Sequence, residues 1–430
     1  MSQLEFLLIA FGVGTTCVLL CCGVRAEESA PAPAPDLDVR VDEPVVAALS
    51  APGEKRWGFH QFPTLMRLPD GRIGLGYSAN ADAIETYGTP SPFLVSGDGG
   101  KTWKTEQSPV AAVKPHASIT QVGDGEFLCL PPSKPLDLAA AGITMPKPSG
   151  AIEPHPNYKF FLYRCAECPK PVQDYLREMP AWRWTAGATS WKAESVTYDT
   201  RGLVVFKRRD GTEAKLLPRA WFEHPAVRLG DELFYADYRT KYEGADGKIA
   251  PNWTTSCMAS GDGGRTWERR GLIAADPSGK NMMAEPMIAP TSDGALACVI
   301  RGEPGPMVIT FSRDRGRAWT PVRALHEFGV FPGLILLENK VLVCSFGRPG
   351  VHLKFSADGT GQAWSAPTAL IAGDRKESQR DTCGYTSLLA VGPDAFLVAY
   401  SDFNRRDARN RQYKAILVRR VQVTAKTGTK

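Results

Sequence analysis

Apolar and polar residues alternate with a period of two along most of the chain, in short runs broken by Gly, Asp and Pro steps. Such runs predict β-strands joined by tight turns. Six stretches share one form: an opening residue, in most copies followed by Pro, then an apolar run, a Gly- or Asp-rich step and a second apolar run. They read HQFPTLMRLPDGRIGLGY from His60, HASITQVGDGEFLCL from His116 and HPAVRLGDELFYADY from His224. The others are EPMIAPTSDGALACVIR from Glu285, FPGLILLENKVLVCSFGR from Phe331 and YTSLLAVGPDAFLVAYSD from Tyr385. Each predicts a hairpin. Counted from Phe62, the starts lie about 54, 108, 61, 46 and 54 residues apart. The double-length gap predicts an insertion over 131–220, rich in Pro and aromatic residues. Its Trp182, Trp184 and Trp191 are expected to pack a lobe or to stack on sugar rings.

A second repeat interleaves with the first. S-x-D-x-G-x-x-W occurs as SGDGGKTW from Ser96, SGDGGRTW from Ser260 and SRDRGRAW from Ser312, with the looser SADGTGQAW from Ser356. Asp suits the backbone N–H groups of a turn, Gly its positive φ, and Trp a place beneath it. The acidic residues are too few at alternating positions for a calcium loop. No metal site and no cofactor is expected.

Hairpin geometry then places the candidate chemistry. A strand of about seven residues, a turn and an equal return strand bring the opening residue beside one roughly 15 to 17 positions later. The openings are Phe62, His116, His224, Glu285, Phe331 and Tyr385; the exits include Tyr77, Ser78, Arg239, Arg301, Arg348 and Asp402. If the first strands line one axis, two histidines, a carboxylate, a tyrosine and three arginines converge. Arginines in such a place suit an anionic ligand, although each could instead brace its neighbouring sheet.

With the hairpins, the S-x-D-x-G-x-x-W turns resemble the Asp boxes of the sialidase (neuraminidase) superfamily. That resemblance implies an all-β chain, a six-bladed β-propeller of four-stranded antiparallel blades over 56–424, including the 131–220 insertion. Closure of six such units leaves few exposed strand edges. It further implies that Tyr385, in CGYTSLL, is similar to the family's nucleophile and Glu285, in AEPMIAP, to the glutamate that takes its proton. Arg301 and Arg348 resemble the second and third arginines that clamp the substrate carboxylate. Asp82, in SANADAIETYGTP, is the expected acid/base, with Glu85 in reserve. The first blade departs from the pattern: where the family has Arg-x-Pro, this chain has Gln61-Phe62-Pro63. Either Arg239 supplies a substitute, or the ligand is not a typical sialic acid. His116 and His224 line the same end without a role in the usual mechanism.

Composition narrows the rest. At 43% hydrophobic and 23% charged, the chain is neither disordered nor fibrous. A net charge of +5 without clustered Lys and Arg excludes a nucleic-acid footprint. Residues 6–24 are almost uninterruptedly apolar and end at Val24-Arg25-Ala26, so residues 1–26 read as a signal peptide, or as a retained membrane anchor. Export to the periplasm or the cell exterior follows. Residues 27–55 are a Pro/Ala-rich spacer and N-terminal segment, and 425–430 a tail. Seven cysteines remain beyond residue 26; Cys165 and Cys168 form a lone C-x-x-C that suits a local disulfide better than zinc. Three functions remain open: a sialidase-type glycoside hydrolase acting on an acidic terminal sugar; a polysaccharide lyase or other glycosidase on the same framework; and a propeller that binds glycan or protein without turnover.

Overall fold

The computed structural model describes residues 36–108, 118–155, 158–208 and 216–425. The apolar N-terminal stretch, His116 and the last five residues lie outside them. The alternating runs do form strands, and these assemble into antiparallel sheets, mostly of four strands. Phe59–Arg67, Ile73–Ala79, Phe93–Ser96 and Lys104–Thr105 make one sheet in chain order. Met282–Pro290, Leu296–Glu303, Met307–Ser312 and Arg323–His326 make a second, and Val330–Leu336, Leu342–Gly347, Val351–Ser356 and Thr368–Ile371 a third. An eight-stranded sheet consists of two antiparallel halves. Ile119–Gly123, Glu126–Cys129, Glu178–Trp184 and Lys192–Tyr198 form one half, and Val227–Leu229, Glu232–Asp237, Thr255–Ser260 and Thr266–Ala274 the other. A short parallel contact at Thr197–Thr266 and Tyr198–Trp267 joins the halves.

The last sheet unites both ends of the described chain. Thr386–Gly392, Ala395–Arg406 and Gln412–Ala425 pair in order, and Leu37–Val41 completes the sheet, with Leu37 opposite Ala425. Val45–Leu49 pairs with the other half of the same long strand. Residues 37–49, which the repeat pattern leaves outside, thus supply strands to the final sheet.

All four S-x-D-x-G-x-x-W segments form the same turn between third and fourth strands. The Ser hydroxyl donates to the Asp carboxylate at 2.7–2.9 Å and accepts the N–H of the motif's fixed glycine, Gly100, Gly264 or Gly316, or of Gly361 in the looser copy. The Trp indole donates to that glycine's carbonyl at 2.8–3.1 Å. Gly264 has φ 82°, and a Cβ there would sit 2.4 Å from Leu128, so both conformation and space demand glycine. Trp267, beneath that turn, is wholly buried among residues from both halves of the eight-stranded sheet.

The 131–220 insertion supplies the two strands that finish the first half of that sheet. It also carries most of a separate one, Gly150–His155, Tyr158–Arg164, Leu203–Arg208 and Lys241–Tyr242, and the helix Lys170–Arg177. The three tryptophans pack with Met66, Leu68 and Phe93 of the first sheet, and Trp184 meets Trp191 at 6.1 Å, so their apolar surface is used between sheets. Cys165 and Cys168 are buried free thiols rather than a disulfide. Among the described residues there is no metal-binding cluster, and no helix is long and apolar enough to cross a membrane.

Candidate active site

A proline after the opening residue cannot donate to the ladder, and in three of the four hairpins that begin with X-Pro, all but the one at His224-Pro225, the strand bulges where it starts. The register shifts at Phe62-Pro63, at Glu285-Pro286 and at Phe331-Pro332. In all three the opening residue has a left-handed backbone: φ is 54° at Phe62, 48° at Glu285 and 41° at Phe331. Non-glycine residues adopt this conformation at a cost of order 1–3 kcal/mol, and such strain concentrates at functional sites. Here it recurs at the same position of three sheets, at the end where candidate side chains meet.

Glu285 is at the centre. Its buried carboxylate accepts the phenol O–H of Tyr385, 100 residues further on, and the Nη1 of Arg301 at 2.8 Å. Its second oxygen accepts the backbone N–H of Phe331 at 2.9 Å. Arg301 also reaches Glu303. Burial alone would push the Glu285 pKa up, but the Arg301 charge, the Tyr385 hydroxyl, the Arg348 charge and the Phe331 N–H together hold it below 4.5. Tyr385 moves the opposite way. Burial first and then the Glu285 charge push it well above 10, against the pull of Arg301 and Arg348. The pair is therefore a neutral phenol donating to a carboxylate, the starting state for a nucleophile and its base.

Aromatic rings enclose this pair. Phe331 stacks parallel on Tyr385 at 4.4 Å, and Phe62 leans on Tyr385 at 4.9 Å. His224 lies on Phe331 at 4.3 Å, with its Nε2 buried and unpartnered. Burial lowers its pKa to about 4, leaving a neutral imidazole at neutral pH. Arg348 donates through Nε and Nη2 to the Cys383 carbonyl at 3.2 and 2.9 Å, and its guanidinium lies 5.6 Å from the Tyr385 ring. Among the described residues, no carboxylate forms an ion pair with it.

The structure thus gathers Glu285, Arg301, Arg348, Tyr385 and His224. Arg239 pairs with the buried Glu223 and lies 3.7 Å over Trp221, as Arg301 pairs with Glu285 and Glu303. Asp82 is exposed and reaches the cluster through Trp57, whose indole N–H donates to it at 3.1 Å while the ring faces Phe62 and Arg348. Glu85 sits on the exposed turn Ile84–Thr86. Gln61 is completely buried, with both amide atoms unpartnered. The hairpin pattern missed Trp57, Glu223 and Glu303, which lie just outside the repeated positions, and the backbone contribution of Phe331, which has no side-chain signature.

No protein-family model matches the chain, and no curated protein matches it in sequence. Solved structures match in fold. One is a protein of unknown function from Dyadobacter fermentans, at 17% identity over 90% of this chain and 99% of that one, with a TM-score of 0.57. Another is the Penicillium chrysogenum α-L-arabinanase complexed with arabinobiose, at 13% identity, 88% and 98% coverage and a TM-score of 0.51. A third is the leech intramolecular trans-sialidase complexed with 2,7-anhydro-Neu5Ac, at 12% identity, 89% and 70% coverage and a TM-score of 0.51. The fold resembles that of β-propeller glycosidases. At these identities the likeness concerns the framework, and the chemistry has to be argued from the side chains.

Proposed function

We propose that the protein is an exported, retaining glycoside hydrolase of exo-α-sialidase type, acting on an acidic sugar at the end of a glycan. Its framework is taken as six blades: three from the four-stranded sheets of the repeat, one from the final five-stranded sheet and two from the halves of the eight-stranded one. Tyr385 attacks the anomeric carbon as Glu285 takes its proton, and the glycosidic C–O bond breaks as the Tyr O–C bond forms. Asp82 protonates the leaving oxygen, then deprotonates the water that releases the sugar. Arg348 and Arg301 bind the substrate carboxylate, and a neutral tyrosine avoids the repulsion that a carboxylate nucleophile would meet. The observation that carries this reading is the hydrogen bond from the Tyr385 hydroxyl to the Glu285 carboxylate, beside two guanidinium groups. Export is read from the apolar stretch at residues 6–24.

The test is release of an aryl alcohol from an aryl α-sialoside, abolished by Tyr385→Phe and by Glu285→Ala. A second reading, a lyase or a different glycosidase on the same framework, is favoured by Gln61 in place of an arginine. A lyase would release an unsaturated, ultraviolet-absorbing product from a uronic polymer without consuming water. Glycan affinity without turnover, unchanged in Tyr385→Phe, would reject both enzymatic readings.

A further inference from the structure

Phe331 opens its hairpin in the same place as Glu285 and Tyr385 open theirs, yet it carries no reactive group. Three observations set it apart from a core phenylalanine. Its backbone is left-handed, at φ 41°, within a bulge between Val330 and Gly333. Its N–H is directed at the Glu285 oxygen that neither Tyr385 nor Arg301 occupies. Its ring is parallel to the Tyr385 ring within 4°, and its other neighbour is His224. A parallel stack at 4.4 Å restricts the phenol to in-plane displacement. The peptide N–H fixes the carboxylate with a geometry that no side-chain rotamer can relax.

We propose that Phe331 is a positioning residue that aligns the Tyr385–Glu285 pair, the ring holding the phenol and the backbone N–H holding the carboxylate. The inference rests on reading those two groups as nucleophile and base. Glu285 lies on a strand of one sheet and Tyr385 immediately before the first strand of another, and a hydrogen bond joins them directly; Phe331, from the sheet between these two in chain order, touches both. With the phenol free to tilt, its oxygen would leave the line of attack while the substrate's carboxylate stayed on Arg348. The effect should therefore fall on kcat rather than on KM.

The experiment compares Phe331→Leu and Phe331→Tyr with the wild type. In the leucine variant kcat should fall by about 10–100-fold, the scale of a displacement of about 1 Å, while KM stays within a few-fold. The acid limb of the pH profile of kcat/KM should move to higher pH as the N–H contact to Glu285 loosens. Phe331→Tyr, which keeps the stacking face, should restore all of these. A readout independent of turnover is the titration of Tyr385 by NMR of 13Cζ-labelled tyrosine, its signal assigned by its loss in Tyr385→Phe. The midpoint should fall in Phe331→Leu, as water reaches the ring, and return in Phe331→Tyr. Lowered thermal stability with unchanged kcat and an unmoved Tyr385 titration would overturn the proposal, leaving Phe331 as packing. If Phe331→Leu does not fold, Phe331→Met carries the same comparison. If the wild type cleaves no glycoside, the functional reading fails while the NMR comparison still decides the positioning role.

Discussion

His224 supplies the most quantitative prediction. It is only 8% exposed, its Nε2 lacks a partner, and burial lowers its pKa from 6.5 to about 4. In the unfolded chain the imidazole takes up a proton near pH 6.5, whereas in the folded protein it does so only near pH 4. Above 6.5 the group is neutral in both states and contributes nothing to pH dependence. As pH falls from 6.5 to 4, the unfolded state binds the proton and the folded state does not, so stability declines. The difference corresponds to roughly 3 kcal/mol once pH 4 is reached. Phe is close in shape to His and suits the apolar face of Phe331, so His224→Phe should remove this loss. The assay is urea denaturation of wild type and variant at half-unit steps from pH 7.5 to 4. The stability gap between them should open in favour of the variant below pH 6.5 and reach about 3 kcal/mol near pH 4. Subtracting the two curves cancels the contributions of His60, His326 and His352, whose pKa values burial also lowers. Parallel curves across this range would refute the reasoning, because His224 would then be able to accept a proton in the folded state.

Three further outcomes are expected. Trp267→Ala should cost about 3–5 kcal/mol, because the ring is wholly buried and its indole N–H is bonded; Trp103→Ala, at a half-buried copy of the same turn, should cost clearly less, and equal urea midpoints would contradict this. Arg348→Ala should change folding stability little but raise KM for an acidic substrate about 10–100-fold, the worth of one hydrogen bond to a charged group; an unchanged KM would remove Arg348 from the binding site. Glu223→Ala should destabilise by about 3–5 kcal/mol, because it strands the largely buried Arg239, and Glu223→Ala,Arg239→Ala should recover part of that loss in a double-mutant cycle.

The hairpins were legible because their signal is local. A proline after the opening residue, an alternating run and a polar step fix both register and the direction in which the strand ends point. The sixteen positions from Glu285 to Arg301 accordingly become a 2.8 Å contact. The meeting of Glu285 with Tyr385 depended on a further assumption, that equivalent ends share one region. What could not be read is set by contacts without a repeat. Arg239 looks like Arg301 in its hairpin, but Glu223, one residue before the opening His224, captures it. Trp57 lies ahead of the first repeat and approaches Asp82 through a loop whose path has no period. The parallel junction at Thr197 and Thr266 joins segments with no shared motif. Leu37–Val41 does alternate, but its partner lies at the far end of the chain, and five residues of alternation do not announce a partner.

That pairing bears on when the protein can finish folding. Leu37 lies against Ala425, so the final sheet needs the earliest described strand and the latest one at the same moment. Forming it closes a loop of nearly the whole described chain, an entropically late event in which one edge of Gln412–Ala425 must wait unpaired. A chain made only as far as the sheet before this one, which ends at Thr368–Ile371, would carry its opening strand without a mate. Completion waits until Gln412–Ala425 has been made, and the exposed edge in that interval is where a chaperone, or a misplaced second chain, would find its hold.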